Sequence, residues 1–294
     1  MYLCPSLLRR VEHRYGASIM ILKTENGPLY YEVEGEGLPL VFISGWAMSG
    51  ECWRPVFDLL KPSYRCLLYD RRGMGRSQPV AAEATFHIED HAEDLHKLLD
   101  REGLYNAVFI AHEMGALIAV ACAKAHPQDI AATVFVSPRT SFSKDEMKSL
   151  GFFTPASLVL RDIASFPVIR NLVALRFSNA PQPYRDRLFD DFAELSPRSA
   201  YEMALSASEQ YETQPVEAMV KSATAPVLFI CGEDDKKGSH QARHLFETAR
   251  AGKLATLTDC GFLPMLEYAN QVARLIEDFA KNAEKAGKQL LSFR

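Results

Sequence analysis

The stretch Ala107-Val108-Phe109-Ile110-Ala111-His112-Glu113-Met114-Gly115-Ala116-Leu117-Ile118-Ala119-Val120 decides the reading of the fold. Its first five residues form a short apolar run of the kind that makes a strand buried on both faces. Met114 to Ala125 then carries helical spacing, so the chain passes from strand to helix across His112 and Glu113. Such corners lie at the carboxyl ends of strands, where α/β sheets place their ligands.

Working outward, similar runs recur at Leu29 to Val33, Pro39 to Ser44, Cys66 to Asp70, Ala132 to Ser137, Pro226 to Cys231 and Lys253 to Leu257, and Met20 opens a first strand-like run. Helical patterns separate many of them. Ile88 to Leu99 puts Ile88, Ala92, Leu95, Leu98 and Leu99 on one face, and Tyr268 to Ala280 turns Val272, Leu275, Ile276 and Phe279 inward. The alternation predicts an α/β fold, a mostly parallel twisted sheet flanked by helices.

The alternation breaks once, between Ser137 and Ala225, in a block of helix patterns and prolines that holds Phe142, Phe152, Phe153, Phe166, Phe177, Tyr184, Phe189, Phe192, Tyr201 and Tyr211. Any one of these aromatics is expected to serve the insertion's own core. Together they favour an apolar lid. The expected organisation is a core of residues 20–137 and 226–294, a helical cap of residues 138–225, and an N-terminal extension of residues 1–19 with no assigned function.

Of 294 residues, 33 are Lys or Arg and 37 are Asp or Glu, a net charge of −4. That balance excludes an electrostatic pull towards nucleic acid or an anionic membrane. No run reaches the roughly 18 apolar residues of a membrane span. Six cysteines without a CxxC pair argue against a zinc site and a disulfide framework, so a reducing cytoplasm is expected. His240 and His244 lie one helical turn apart, yet no further ligands stand near them in sequence. His87, His91 and His96 read as solvated or packing residues. No metal and no cofactor are expected, and the oligomeric state stays open.

Four stretches in order resemble the α/β-hydrolase superfamily: Ser44-Gly45-Trp46 after a strand; Tyr69-Asp70-Arg71-Arg72-Gly73-Met74-Gly75-Arg76-Ser77, close to a DxRGxGxS turn; Ala111-His112-Glu113-Met114-Gly115 at the GxSxG elbow; and Gly232-Glu233-Asp234-Asp235 with Asp259-Cys260-Gly261-Phe262-Leu263-Pro264, where the superfamily puts its acid and its histidine. The resemblance runs from about Ile21 to Ala280. Locally, Gly45 to Trp53 is similar to the pimeloyl ester esterases of the biotin pathway and other small carboxylesterases. The resemblance implies an α/β-hydrolase fold with a cap and an oxyanion hole built from the N–H groups of Trp46 and Met114. It also implies a structural turn in which Asp70 and Arg72 form a buried pair.

The departures carry the functional reading. Hydrolysis on this fold needs a nucleophile, a histidine to activate it and an acid to orient the histidine. Glu113 stands where the nucleophile belongs and Phe262 where the histidine belongs, which leaves Asp235 as a vestigial acid or a helix cap. His112, beside the elbow, is expected to point away from its neighbour. Ser44 either bonds a ligand or Glu113, or is tied to the backbone; Ser137 reads as a turn residue.

The expectation is therefore an enzyme that acts on a small apolar organic substrate by non-hydrolytic acid/base chemistry at Glu113, as a lyase, isomerase or cyclase. Two alternatives stand beside it. In one, the Glu113 carboxylate fills the oxyanion hole and the protein is an inactive small-molecule binder or partner protein. In the other, it remains a residual ester hydrolase.

Overall fold

The computed structural model describes residues 20–141, 180–213 and 215–292. Its strands are β1 (Met20–Thr24), β2 (Gly27–Glu34), β3 (Pro39–Ile43), β4 (Arg65–Tyr69), β5 (Ala107–His112), β6 (Ile130–Val136), β7 (Val227–Gly232) and β8 (Gly252–Leu257). They form one eight-stranded sheet in the order β1-β2-β4-β3-β5-β6-β7-β8. β1 and β2 pair antiparallel, as do β2 and β4, and every other pair is parallel.

β3, near the middle of the sheet, is apolar at every position because both faces are covered. In β3, Leu40 and Phe42 pack on one side with Trp53 and Phe57, while Val41 and Ile43 pack on the other with Phe109 and Leu117. Alternate residues of a strand point to opposite faces, so a strand between two helical layers shows no polar alternation. The layers are built from α1 (Arg54–Leu60), α2 (Ile88–Glu102), α3 (Gly115–Ala125), α7 (Lys236–Thr248), α8 (Pro264–Glu267) and α9 (Ala269–Ser292). On α2, the predicted stripe of Ile88, Ala92, Leu95, Leu98 and Leu99 is buried, and Gly103 ends the helix with φ 64°. Glycine meets no Cβ penalty there.

Between β6 and β7 the described residues hold α4 (Gln182–Glu194), α5 (Pro197–Glu212) and α6 (Pro215–Ser222) and no strand. They are tied to the sheet's loops. Asp191 Oδ2 of α4 accepts the Ser49 N–H at 2.8 Å, and Ser206 Oγ of α5 accepts the Ile88 N–H at 3.0 Å. Residues 1–19 and the aromatics Phe142, Phe152, Phe153, Phe166 and Phe177 lie outside the described residues. Of the rest, Phe189 and Tyr211 are buried and Tyr201 is exposed.

The turn after β4 departs from expectation. Asp70 and Arg72 do not pair with each other. Asp70 accepts the Gly50 N–H at 2.7 Å and Arg76 Nε at 2.7 Å, whereas Arg72 makes a two-pronged pair with Asp94, both bonds 2.8 Å. Burial pushes the Asp70 carboxyl up, but Arg76 and the backbone donors outweigh it and hold it below its ordinary value. The planar guanidinium of Arg72 matches the Asp94 carboxylate with two parallel bonds, the strong form of such a pair.

No described helix is long and apolar enough to cross a membrane. The described cysteines Cys52, Cys66, Cys122, Cys231 and Cys260 are buried and free.

Candidate active site

Glu113 sits at the corner between β5 and α3 with φ 50°, a left-handed conformation that a non-glycine residue holds at a cost of about 1 to 3 kcal/mol. The corner is held on both sides. Glu113 N–H bonds Val136 O at 3.2 Å, and its own carbonyl accepts the Ala116 N–H at 3.1 Å. Gly115 lets α3 start hard against β3, since a Cβ there would lie 2.7 Å from Ile43 O. Gly45 makes room in the same way, for a Cβ on it would meet His112 Nδ1 at 2.7 Å and Glu113 Oε2 at 3.0 Å.

The carboxylate is buried and engaged. Trp46 N–H donates to Glu113 Oε2 at 2.8 Å, and Arg139 Nε lies 3.5 Å from Oε1. A second guanidinium, Arg71, is fully buried close by and donates to Gly45 O. Burial pulls the Arg71 pKa down, with the Tyr69 and Glu113 charges opposing it. A cavity of about 10 Å³, room for one water, lies beside the carboxylate and is lined by Trp46, Glu113, Met114, Ala204, Ala207 and Tyr211. The Tyr211 hydroxyl is buried with no hydrogen-bond partner among the described residues. Burial keeps that phenol well above its ordinary pKa, and the nearby Glu113 charge pushes the same way.

The remaining expected site residues fall around this centre. The His112 ring reaches the loop that carries Phe262: its Nε2 donates to Phe262 O at 3.1 Å, and the two rings meet edge to face with centroids 4.7 Å apart. Burial lowers the His112 pKa, so the imidazole is neutral near pH 7, and the buried Nδ1 has no partner among the described residues. Asp235 caps α7, its Oδ1 accepting the Gly238 N–H at 3.1 Å. Ser44 faces the backbone, donating to Met48 O at 3.0 Å. Met114 lines the cavity with its side chain. Trp46 is thus the member of the expected donor pair that the structure brings to the carboxylate.

Two residues escaped the sequence reading. Arg139 follows the carboxyl end of β6, the edge where sites collect, and a survey of charged residues at strand ends would have found it. Tyr211 lay among the lid aromatics, but nothing in its spacing separated it from them.

A strand-to-helix elbow with positive φ, at the carboxyl edge of a mostly parallel eight-stranded sheet, defines the α/β-hydrolase class. The family model described as the alpha/beta hydrolase fold matches residues 39–267, and the chain belongs to that family. A carbamate hydrolase by name, RutD of Variovorax paradoxus strain S110, is 28% identical over 218 residues, covering 71% of this chain and 79% of that protein. The pimeloyl-[acyl-carrier protein] methyl ester esterase of Photobacterium profundum is 32% identical over 117 residues, 40% of this chain and 43% of its own. Among solved structures, a thermophilic esterase from Thermogutta terrifontis superposes with a TM-score of 0.76 at 21% identity, covering 91% of this chain and 99% of that one.

These relatives overturn the expectation of a lyase, isomerase or cyclase, because the names they carry are those of hydrolases. The geometry gives the physical reason. A proton shuttle needs an accessible carboxyl oxygen, and here one oxygen accepts a backbone N–H while the other faces a guanidinium.

Proposed function

We propose that this hydrolase-family protein has a degenerate triad and binds a small, largely apolar molecule at the elbow without turning it over by the Ser-His-Asp route. The observation that carries this reading is the 2.8 Å bond from Trp46 N–H to Glu113 Oε2. The donor assigned to a developing oxyanion is already bonded to the chain's own carboxylate. Loss of one oxyanion donor alone costs an acyl-transfer enzyme on the order of 10² to 10³ in rate. With Phe262 beside it, the elbow also lacks an imidazole to activate a nucleophile.

In this reading residues 138–225 act as the cap, and α5 lays Ala204, Ala207 and Tyr211 over the carboxylate. The walls are apolar, and because the space holds one water, a larger body enters with α5 displaced from the elbow. The polar atoms, an acceptor on Glu113 and a donor on Tyr211, suit one hydroxyl group at its tip.

A second reading, retained hydrolysis of a small ester or carbamate, has its own support in the relatives' names and in the water-sized space beside the carboxylate. There the Glu113 carboxylate would orient the attacking water by accepting its hydrogen bond. One set of assays separates the two. Wild type and Glu113→Gln are compared on acetyl and butyryl nitrophenyl esters and a nitrophenyl carbamate, alongside binding of Nile red. The binding reading expects rates at the buffer background in both proteins, with probe binding reduced by Ala204→Glu. Turnover by wild type that Glu113→Gln abolishes would establish the hydrolytic reading instead. Failure of wild type to bind the probe would remove the support for a small-molecule site.

A further inference from the structure

Roughly one helix length of α3 from the elbow, at the opposite end of the sheet, four side chains from two elements form crossed pairs. On α2, Glu93 and His96 are three residues apart and share a face. In the short helix Pro127–Asp129 after α3, Asp129 follows His126 by the same interval. His96 Nδ1 donates to Asp129 Oδ2 at 2.8 Å, and His126 Nε2 donates to Glu93 Oε2 at 3.0 Å. The two imidazoles stack face to face, centroids 3.5 Å apart and 4° from parallel. Ligating atoms of His96, His126 and Asp129 all lie within 4.8 Å of one another.

We propose that Glu93, His96, His126 and Asp129 bind a divalent cation of the zinc class, which fastens α2 to the turn between α3 and β6. The donor set of two imidazoles and two carboxylates suits a borderline ion such as Zn²⁺. Bonds of about 2.0 to 2.1 Å in a tetrahedron bring ligand atoms to about 3.4 Å from each other. The two nitrogen-to-oxygen pairs are already closer than that. What remains is to turn one ring about its Cβ–Cγ bond so that both nitrogens aim at one point, replacing two shared protons by one ion.

The independent sign of a ligand is Asp129. Its side chain is wholly buried, its Oδ2 accepts from His96 and, at 3.8 Å, from the Cys122 thiol, yet its Oδ1 has no partner among the described residues. A buried carboxylate oxygen left without a donor is costly, and a cation held by both oxygens of Asp129 satisfies it. The side chains of His96 and His126 are each 20% exposed and that of Glu93 is 49% exposed, so an ion has a path in from solvent.

The test is a calorimetric titration of chelator-treated full-length protein with ZnCl₂, followed by Co²⁺ absorption in the visible. The expected result is one ion per chain, a tetrahedral Co²⁺ spectrum, and affinity at least tenfold weaker in His96→Gln and in His126→Gln. His240→Gln with His244→Gln should leave affinity unchanged. Asp129→Asn disturbs a buried group, so the partly exposed histidines, checked for native circular dichroism, decide the outcome. No stoichiometric binding, affinity that survives the double change at His96 and His126, or affinity lost with His240 and His244 would each overturn the assignment.

Discussion

The imidazole of His112 lies edge to face against the ring of Phe262, 4.7 Å between centroids, and bonds that residue's carbonyl at 3.1 Å. The histidine next to the elbow is thus committed to holding the loop that carries Phe262. Its Nε2 proton is committed to that carbonyl, and burial lowers its pKa, which weakens the imidazole as a base.

This arrangement predicts how hydrolysis can be installed. Glu113→Ser frees the Trp46 N–H but leaves the serine without an activator, and Phe262→His supplies an imidazole with no nucleophile. The loops that bear Asp235 and Phe262 are already joined, Asp234 N–H to Cys260 O at 2.9 Å, so the double variant sets a new histidine on the loop next to that of an acid. Each single variant should hydrolyse nitrophenyl acetate at background. The double variant should exceed either by at least about tenfold, because triad members act as a unit. Equal rates for Glu113→Ser and the double variant would mean that another base is at work.

The elbow's backbone makes a separate prediction. At φ 50° glycine rests without penalty and alanine does not. Both Glu113→Gly and Glu113→Ala lose the bond to Trp46 and the contact with Arg139, so the difference between them isolates the strain. Urea unfolding should find the glycine variant more stable than the alanine variant by about 1 kcal/mol. A more stable alanine variant would mean the corner relaxes out of the left-handed region.

How far this site was legible in the sequence follows from which distances a sequence encodes. β5 and α3 are adjacent in the chain, so an apolar run followed by helical spacing placed the corner between Ala111 and Met114, and the resemblance to the GxSxG elbow put Glu113 at it. The stripe on α2 and the inward face of α9 were legible for the same reason, being periodic within one element. Pairings between elements were not. Asp70 and Arg72 looked like partners because they are neighbours, yet Arg72 reaches Asp94 on α2, and Arg139 meets Glu113 from the end of a different strand. His96 and His126 sit 30 residues apart, the difference of their numbers, and only the packing of α3 on α2 stacks them.

Close packing at Gly115, the glycine of the elbow, is testable by one methyl group. The Cβ of Gly115→Ala would lie 2.7 Å from Ile43 O and 3.0 Å from Ser44 O, both backbone atoms that cannot swing aside. α3 must then move off β3, and overpacking of this kind costs about 1 to 3 kcal/mol. Gly103→Ala meets no atom within 4 Å, so its penalty comes from φ 64° alone and should be close to 1 kcal/mol. Denaturant unfolding of the two variants should rank Gly115→Ala as the more damaging. The reverse order would show that the helix start has slack.

The last prediction concerns pH and the link between α4 and the loop before α1. Asp191 is buried, accepts the Ser49 N–H at 2.8 Å, and has Arg187 Nε 3.0 Å from its other oxygen. Burial dominates, with Arg187 and Ser49 opposing it, and the carboxyl is pushed up to about 6. In the unfolded chain the same group titrates near 3.9. Between about pH 4 and pH 6 the folded protein keeps a proton that the unfolded chain has released, so this group's contribution to stability falls as pH rises through that window and is flat outside it. The full change is about 2 to 3 kcal/mol. Asp191→Asn still offers an acceptor to Ser49 and carries no charge at any of these pH values. The stability of the variant relative to wild type, measured by denaturant unfolding at pH 4, 5, 6 and 7, should therefore climb from pH 4 to pH 6 and then level off. A relative stability that falls over the same range would mean the Arg187 pair outweighs burial and that Asp191 is ionised in the folded protein throughout.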